Sequence, residues 1–177
     1  MELYKIVGGH CIGVDPYYLI QKAQVYGVLP RIMSNARRLN DGMGDYVANQ
    51  TIKCMNKKGI IVKDANILIL GITFKENCPD VRNTKVVDIY QTLLEYSNNI
   101  KVYDPWANPE IVKKHYDINI EQDFESIKNK KYDTIILAVS HNDFLNIDIR
   151  SLLRDRVNGI VYDVKGILPK EIIDGRL

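Results

Sequence analysis

Apolar and polar positions along this chain fall into two textures that change near residue 60. In the first, apolar residues recur at steps of three or four: Ile32, Ala36, Leu39, Met43 and Val47, then Ile52 and Met55. That spacing lines one face of an α-helix. It predicts a long helix opened by Leu29-Pro30 and stopped by Gly59, because proline suits the first helical turn and glycine the end. Gly42 and Gly44 fall in its middle, each weakening it by about 1 kcal/mol relative to alanine. A shorter helix is predicted over Pro16 to Tyr26, with Asp15 as N-cap and Gly27 as its stop. A helix as long as the second seldom finds enough core within a small chain and more often packs on a symmetry mate.

From Lys63 onward the pattern becomes short continuous apolar runs separated by helical stretches. Asn66 to Leu70, Lys101 to Asp104, Thr134 to Val139 and Gly159 to Val164 read as four strands. Runs without alternation belong to strands buried on both faces. Val86 to Tyr96, Asn108 to His115 and Asp123 to Lys128 read as helices between them. Alternating strands and helices imply a parallel sheet. The predicted fold is therefore α/β, a long helical segment over 1–60 followed by a Rossmann-like parallel-sheet domain over 61–177. Ligands of open α/β sheets sit beyond the carboxyl ends of the strands. Here those ends are Gly71 to Lys75, Asp104 to Trp106, Ser140 to Asp143 and Asp163 to Gly166. They read as a ligand-facing rim.

Composition narrows the function more than the fold. The 177 residues carry a formal net charge of +2, too near balance to argue for a nucleic-acid or membrane partner. The N-terminal residues lack a signal peptide's layout, and no apolar run approaches the ~18–20 residues of a membrane span. Cys11, Cys54 and Cys78 are odd in number, with neither C-x-x-C nor Cys/His metal spacing, so a reduced, cytoplasmic setting is expected. The chain holds no G-x-G-x-x-G and no G-x-x-x-x-G-K-[ST]. One stretch suggests covalent chemistry. In Gly8-Gly9-His10-Cys11-Ile12-Gly13-Val14-Asp15-Pro16 a thiol lies on a glycine-rich turn just ahead of a predicted helix, where the helix dipole favours thiolate. A small buried cysteine and a simple helix cap remain the competing reading.

Gly-Gly-x-Cys-x-x-x-Asp followed by aromatic residues resembles the active-site segment of the UDP-glucose/GDP-mannose dehydrogenase family. GGHCIGVDPYYL is most similar to its bacterial UDP-N-acetylhexosamine 6-dehydrogenases of surface-polysaccharide synthesis. The segment Gly71-Ile72-Thr73-Phe74-Lys75-Glu76, with Arg82 and Asn83-Thr84 beyond it, resembles the family's UDP-binding motif. The resemblance implies Cys11 as nucleophile and Asp15 as the group activating water. It implies Gly8, Phe74, Lys75 and Lys165 as sugar-nucleotide contacts, and Arg82 as a contact to NAD. It also implies a UDP-sugar substrate and a homodimer formed through the long helix. Two positions depart from the pattern: Val14 stands where many members carry lysine, and Lys165 where some carry arginine. The family's N-terminal NAD-binding domain is expected to be missing, so that the chain is a fragment inactive alone. A non-catalytic module that binds a nucleotide sugar and dimerises is the alternative.

Overall fold

A computed structural model describes the chain over residues 10–177; Gly8 and the residues before it lie outside the described part. Its centre is a six-stranded, wholly parallel sheet in the order β3-β2-β1-β4-β5-β6. The strands are β1 (Ile67–Leu70), β2 (Ile100–Tyr103), β3 (Ile120–Glu121), β4 (Thr134–Leu137), β5 (Ile160–Asp163) and β6 (Gly175–Arg176). Every residue of β1, β4 and β5 is buried. Alternate side chains enter two separate cores. Ile67, Ile69, Ile136, Ile160 and Tyr162 face one, while Leu68, Leu70, Ile135, Leu137 and Val161 face the other. That two-sided burial is why these strands read as unbroken apolar runs.

Four strands were expected and six are present among the described residues. The additional pair, β3 and β6, are two-residue edge strands, β3 being only half-buried. Neither needs an apolar run, so neither left one in the sequence.

The helices are α1 (His10–Val25), α2 (Arg31–Asp41), α3 (Met43–Lys57), α4 (Val86–Leu94), α5 (Pro109–Tyr116) and α6 (Glu125–Lys128). The first core packs the sheet against α3, α4 and α5 through Val47, Met55, Ile89, Leu93 and Val112. The second is covered more thinly, by α6 and the 3₁₀ turns at 142–144 and 149–152, through Ile127, Phe144, Ile149 and Leu152.

Two helix expectations need correction. The helix expected from Pro30 to Gly59 is two, divided at Gly42. The join lets α3 turn its apolar face onto the sheet while α2 stays largely exposed. Gly44 then meets α4 so closely that a Cβ there would lie 2.4 Å from the Asp88 Cβ. Asp15 is not an N-cap, since α1 already runs from His10 and carries Pro16 inside it. A proline there leaves one carbonyl without its helical donor, and Cys11 lies on the helix itself. Gly27 and Gly59 do end helices, each with left-handed φ. Among the described residues no helix is long and apolar enough to cross a membrane.

Candidate functional site

The strand order reverses direction between β1 and β4, and the chains leaving those two strands part there, opening a crevice at the carboxyl edge. Gly71 ends β1 with φ +88°, and a Cβ on it would lie 2.4 Å from the Val139 Cβ. Only glycine permits both the turn and the close approach. Beyond it lies a narrow cleft of ≈ 30 Å³, lined among others by Thr73, Phe74, Thr84, Lys85, Val139 and Lys165. The structure thus brings together Phe74 and Lys165, which are far apart in sequence. Lys75 is exposed next to them, its ammonium 5.6 Å from the centre of the Phe74 ring. Two cations beside an aromatic edge suit a phosphate-bearing ligand. Thr84 belongs to this wall too. It ties down the first strand's loop, donating to the Thr73 carbonyl at 3.4 Å and accepting from the Val86 N–H at 3.3 Å.

Arg82 is exposed and gripped by its loop neighbour Asp80, Nε to Oδ1 at 3.0 Å and a terminal nitrogen to Oδ2 at 2.8 Å. A pair with a solvent-exposed guanidinium is screened by water and holds weakly, so an incoming anion can replace Asp80. Cys11 and Asp15 are exposed on α1. The same helix, through Gly13, Val14 and Tyr17, borders a second groove of ≈ 350 Å³ that shares Thr84 and Lys85 with the cleft. A charged clasp holds α1 and α2 there. Tyr17 donates to Asp41, and Asp41 also pairs with Lys85 at 3.3 Å and Arg37 at 3.7 Å. Burial alone would raise the Asp41 carboxyl, but the Tyr17 hydrogen bond and the Lys85 and Arg37 charges hold it below its usual range. Arg37 and Asp41 stand one helical turn apart on α2. Nothing in their local spacing signals Lys85 as a partner.

The expected rim is only partly ligand-facing. Asp104, His141 and Asp163 are fully buried. Asp104 Oδ1 accepts from the N–H groups of Trp106 and Ala107, and Oδ2 from those of Ile72 and Thr73. Asp163 does the same for Lys165, Gly166 and Leu168. These carboxylates at the ends of β2 and β5 shape the loops. Buried backbone N–H groups need acceptors, and a strand-end aspartate supplies up to four.

The chain resembles known proteins over most of its length. Residues 68–170 match the UDP-binding domain of the UDP-glucose/GDP-mannose dehydrogenase family. The chain belongs to that family. Residues 5–42 match the central domain of the same dehydrogenases. The chain is 48% identical over 175 residues to a UDP-N-acetyl-D-glucosamine 6-dehydrogenase of Salmonella typhi, covering 97% of this chain and 40% of that protein. It is 47% identical over 173 residues to the protein of that name from Pseudomonas aeruginosa, again 97% and 40%. The chain therefore spans about 40% of the length of these dehydrogenases. Among solved structures, a UDP-D-ManNAc dehydrogenase from Pyrococcus horikoshii superposes with a TM-score of 0.79 at 23% identity, over 96% of this chain and 38% of that one. At that identity the likeness speaks for the fold, which the dehydrogenase family shares.

Proposed function

We propose that this chain is the substrate-binding and dimer-forming portion of an NAD-dependent UDP-N-acetylhexosamine 6-dehydrogenase that makes precursors of a bacterial surface polysaccharide. The observation that carries the reading is the cleft at the β1/β4 crevice, walled by Phe74 and Lys165, in a chain whose residues 68–170 match a UDP-binding domain. In this reading residues 61–177 bind the UDP moiety and residues 1–60 supply the reactive segment and the contact between copies.

Lys75 and Lys165 neutralise the diphosphate, and Phe74 gives the ligand an apolar wall. The fit to NAD rests on Arg82: a guanidinium held at the exposed rim by Asp80 matches a phosphate or carboxylate of the cofactor. When bound, NAD supplies the hydride acceptor for both oxidations of the C6 alcohol. The Cys11 thiolate adds to the C6 aldehyde, forming a C–S bond as the oxygen takes up a proton, and so retains the aldehyde. After the second oxidation the resulting thioester is hydrolysed. Asp15 takes a proton from the attacking water, and the thiolate leaves with the C–S bond's electron pair. Exposure of Cys11 on a helix suits this role.

The dimer reading is supported by apolar surface on α1, α2 and the link between them. Tyr18, Leu19, Tyr26, Leu29, Ile32 and Leu39 are all exposed, Ile32 by 87%. Apolar surface of this extent commonly marks an interaction site.

Calorimetry with UDP, UDP-GlcNAc and UDP-GalNAc tests the binding reading. Micromolar binding that Lys75→Ala weakens supports it, and absence of binding overturns it. Adding a separately expressed NAD-binding half should restore NADH production, and Cys11→Ser should stop the reaction after the first oxidation. Binding without any recovery of activity would select the non-catalytic module instead.

A further inference from the structure

His141 follows β4 and has no exposed surface. Its Nδ1 lies 2.9 Å from the backbone nitrogen of Asn77. A backbone N–H can only donate, so Nδ1 carries no proton and the ring's proton sits on Nε2. Nε2 lies 3.2 Å from Asp104 Oδ2 and 3.1 Å from Thr73 Oγ1. The Thr73 hydroxyl spends its own proton on the Lys75 carbonyl, at 3.0 Å, leaving a lone pair for the ring. Asn77 is held a second time, its Oδ1 accepting from the Asn142 N–H at 3.0 Å, and its φ of +53° is left-handed. Trp106 stacks on the imidazole and Phe144 meets it edge-on, which fixes the ring plane.

Asp, His and Thr are the members of a hydrolytic triad. Here all three are buried and the hydroxyl is turned to a carbonyl, so the set braces backbone and attacks nothing. What it braces is the turn carrying Phe74 and Lys75, tied at Thr73 on one side and Asn77 on the other to one ring.

We infer that His141 is a positioning residue: through Nδ1 to Asn77 and Nε2–H to Thr73 and Asp104 it sets the 73–77 turn and thereby where Phe74 and Lys75 meet the ligand. Its effect on ligand affinity rests on the UDP reading above; its effect on the turn does not. The two ring nitrogens can be tested separately. Asparagine places an acceptor where Nδ1 was and loses the Nε2 contact. Glutamine reaches the Nε2 position and leaves Asn77 without an acceptor.

The test uses the 177-residue chain, with nitrogen-15 NMR of the imidazole, amide hydrogen exchange at Asn77, and calorimetry with UDP. The wild type should show the Nε2–H tautomer at neutral pH. His141→Gln should speed exchange at Asn77 about tenfold or more and weaken UDP binding about threefold to tenfold, the scale of one net hydrogen bond. His141→Asn should keep the Asn77 amide protected and, having lost the Nε2 contact, weaken UDP binding less than His141→Gln does. An Nδ1–H tautomer, or Asn77 exchange equal in wild type and both variants, overturns the inference. Should both variants fail to fold, the wild-type tautomer still decides. If the wild type binds no UDP while Asn77 exchange separates the two variants as expected, the UDP reading fails and the brace stands.

Discussion

Replacing Asp104 by asparagine preserves the size of the side chain and removes its charge. In the wild type one carboxylate oxygen receives the N–H groups of Trp106 and Ala107, the other those of Ile72 and Thr73 together with His141 Nε2. An amide has one accepting atom. Whichever way it turns, its NH₂ faces at least two donors in a site without solvent. Two hydrogen bonds to a charged group, worth about 1.5–3 kcal/mol each, are replaced by buried donors with no acceptor. The expected loss is about 3–5 kcal/mol, a large share of the ~5–15 kcal/mol of a typical domain. Urea unfolding followed through Trp106, the chain's one tryptophan, reads this directly. At ~2 kcal/mol per molar urea the midpoint falls by about 1.5–2.5 M.

The pH dependence has a definite sign. Burial would raise the Asp104 carboxyl, but the hydrogen bonds from His141 and the Ile72 N–H outweigh it and leave its pKa below the ordinary value. A depressed native pKa adds stability that is fully present above the unfolded value of about 3.9 and lost as pH falls through the native one. The gap between wild type and variant should be constant from about pH 5 to 8 and close below about pH 4. A loss under ~1 kcal/mol at pH 7, or a gap unchanged down to pH ~2.5, would refute the reasoning.

Three further outcomes are expected. Gly44→Ala should destabilise by ~1–3 kcal/mol although alanine is the better helix former, because its Cβ would meet the Asp88 side chain; a rise in melting temperature would contradict that packing. With a disulfide reagent on the folded chain, exposed Cys11 should react first and half-buried Cys54 last. Burial pushes the Cys54 thiol above its usual pKa, and the order is read by mass mapping of the labelled peptides. Lys75→Ala and Lys165→Ala should each lower UDP affinity about tenfold with the melting temperature within a degree or two, since neither side chain is buried. Unchanged affinity in both would remove the diphosphate from this cleft.

Local pattern carried much of the architecture. Ile67 to Leu70 could only be a strand buried on both faces. Gly27 and Gly59 end helices because a left-handed residue is needed wherever the chain turns back. Phe74, Lys75, Arg82 and Lys165 became candidates through motif resemblance, and folding gathered Phe74 and Lys165 onto one wall. Other features depended on contacts between distant residues. Gly42 and Gly44 looked alike as weak points, yet one is the join between α2 and α3 and the other the place where α3 touches α4. Asp104, His141 and Asp163 are the same polar letters a ligand rim would use; they turn inward to backbone donors in the loops after β1, β2 and β5. Propensity and periodicity act over a turn or two of chain, so they write themselves into adjacent residues. Hydrogen-bond satisfaction in a buried site is settled by whichever groups the fold delivers there, and for Asp104 and His141 these include partners more than thirty residues away.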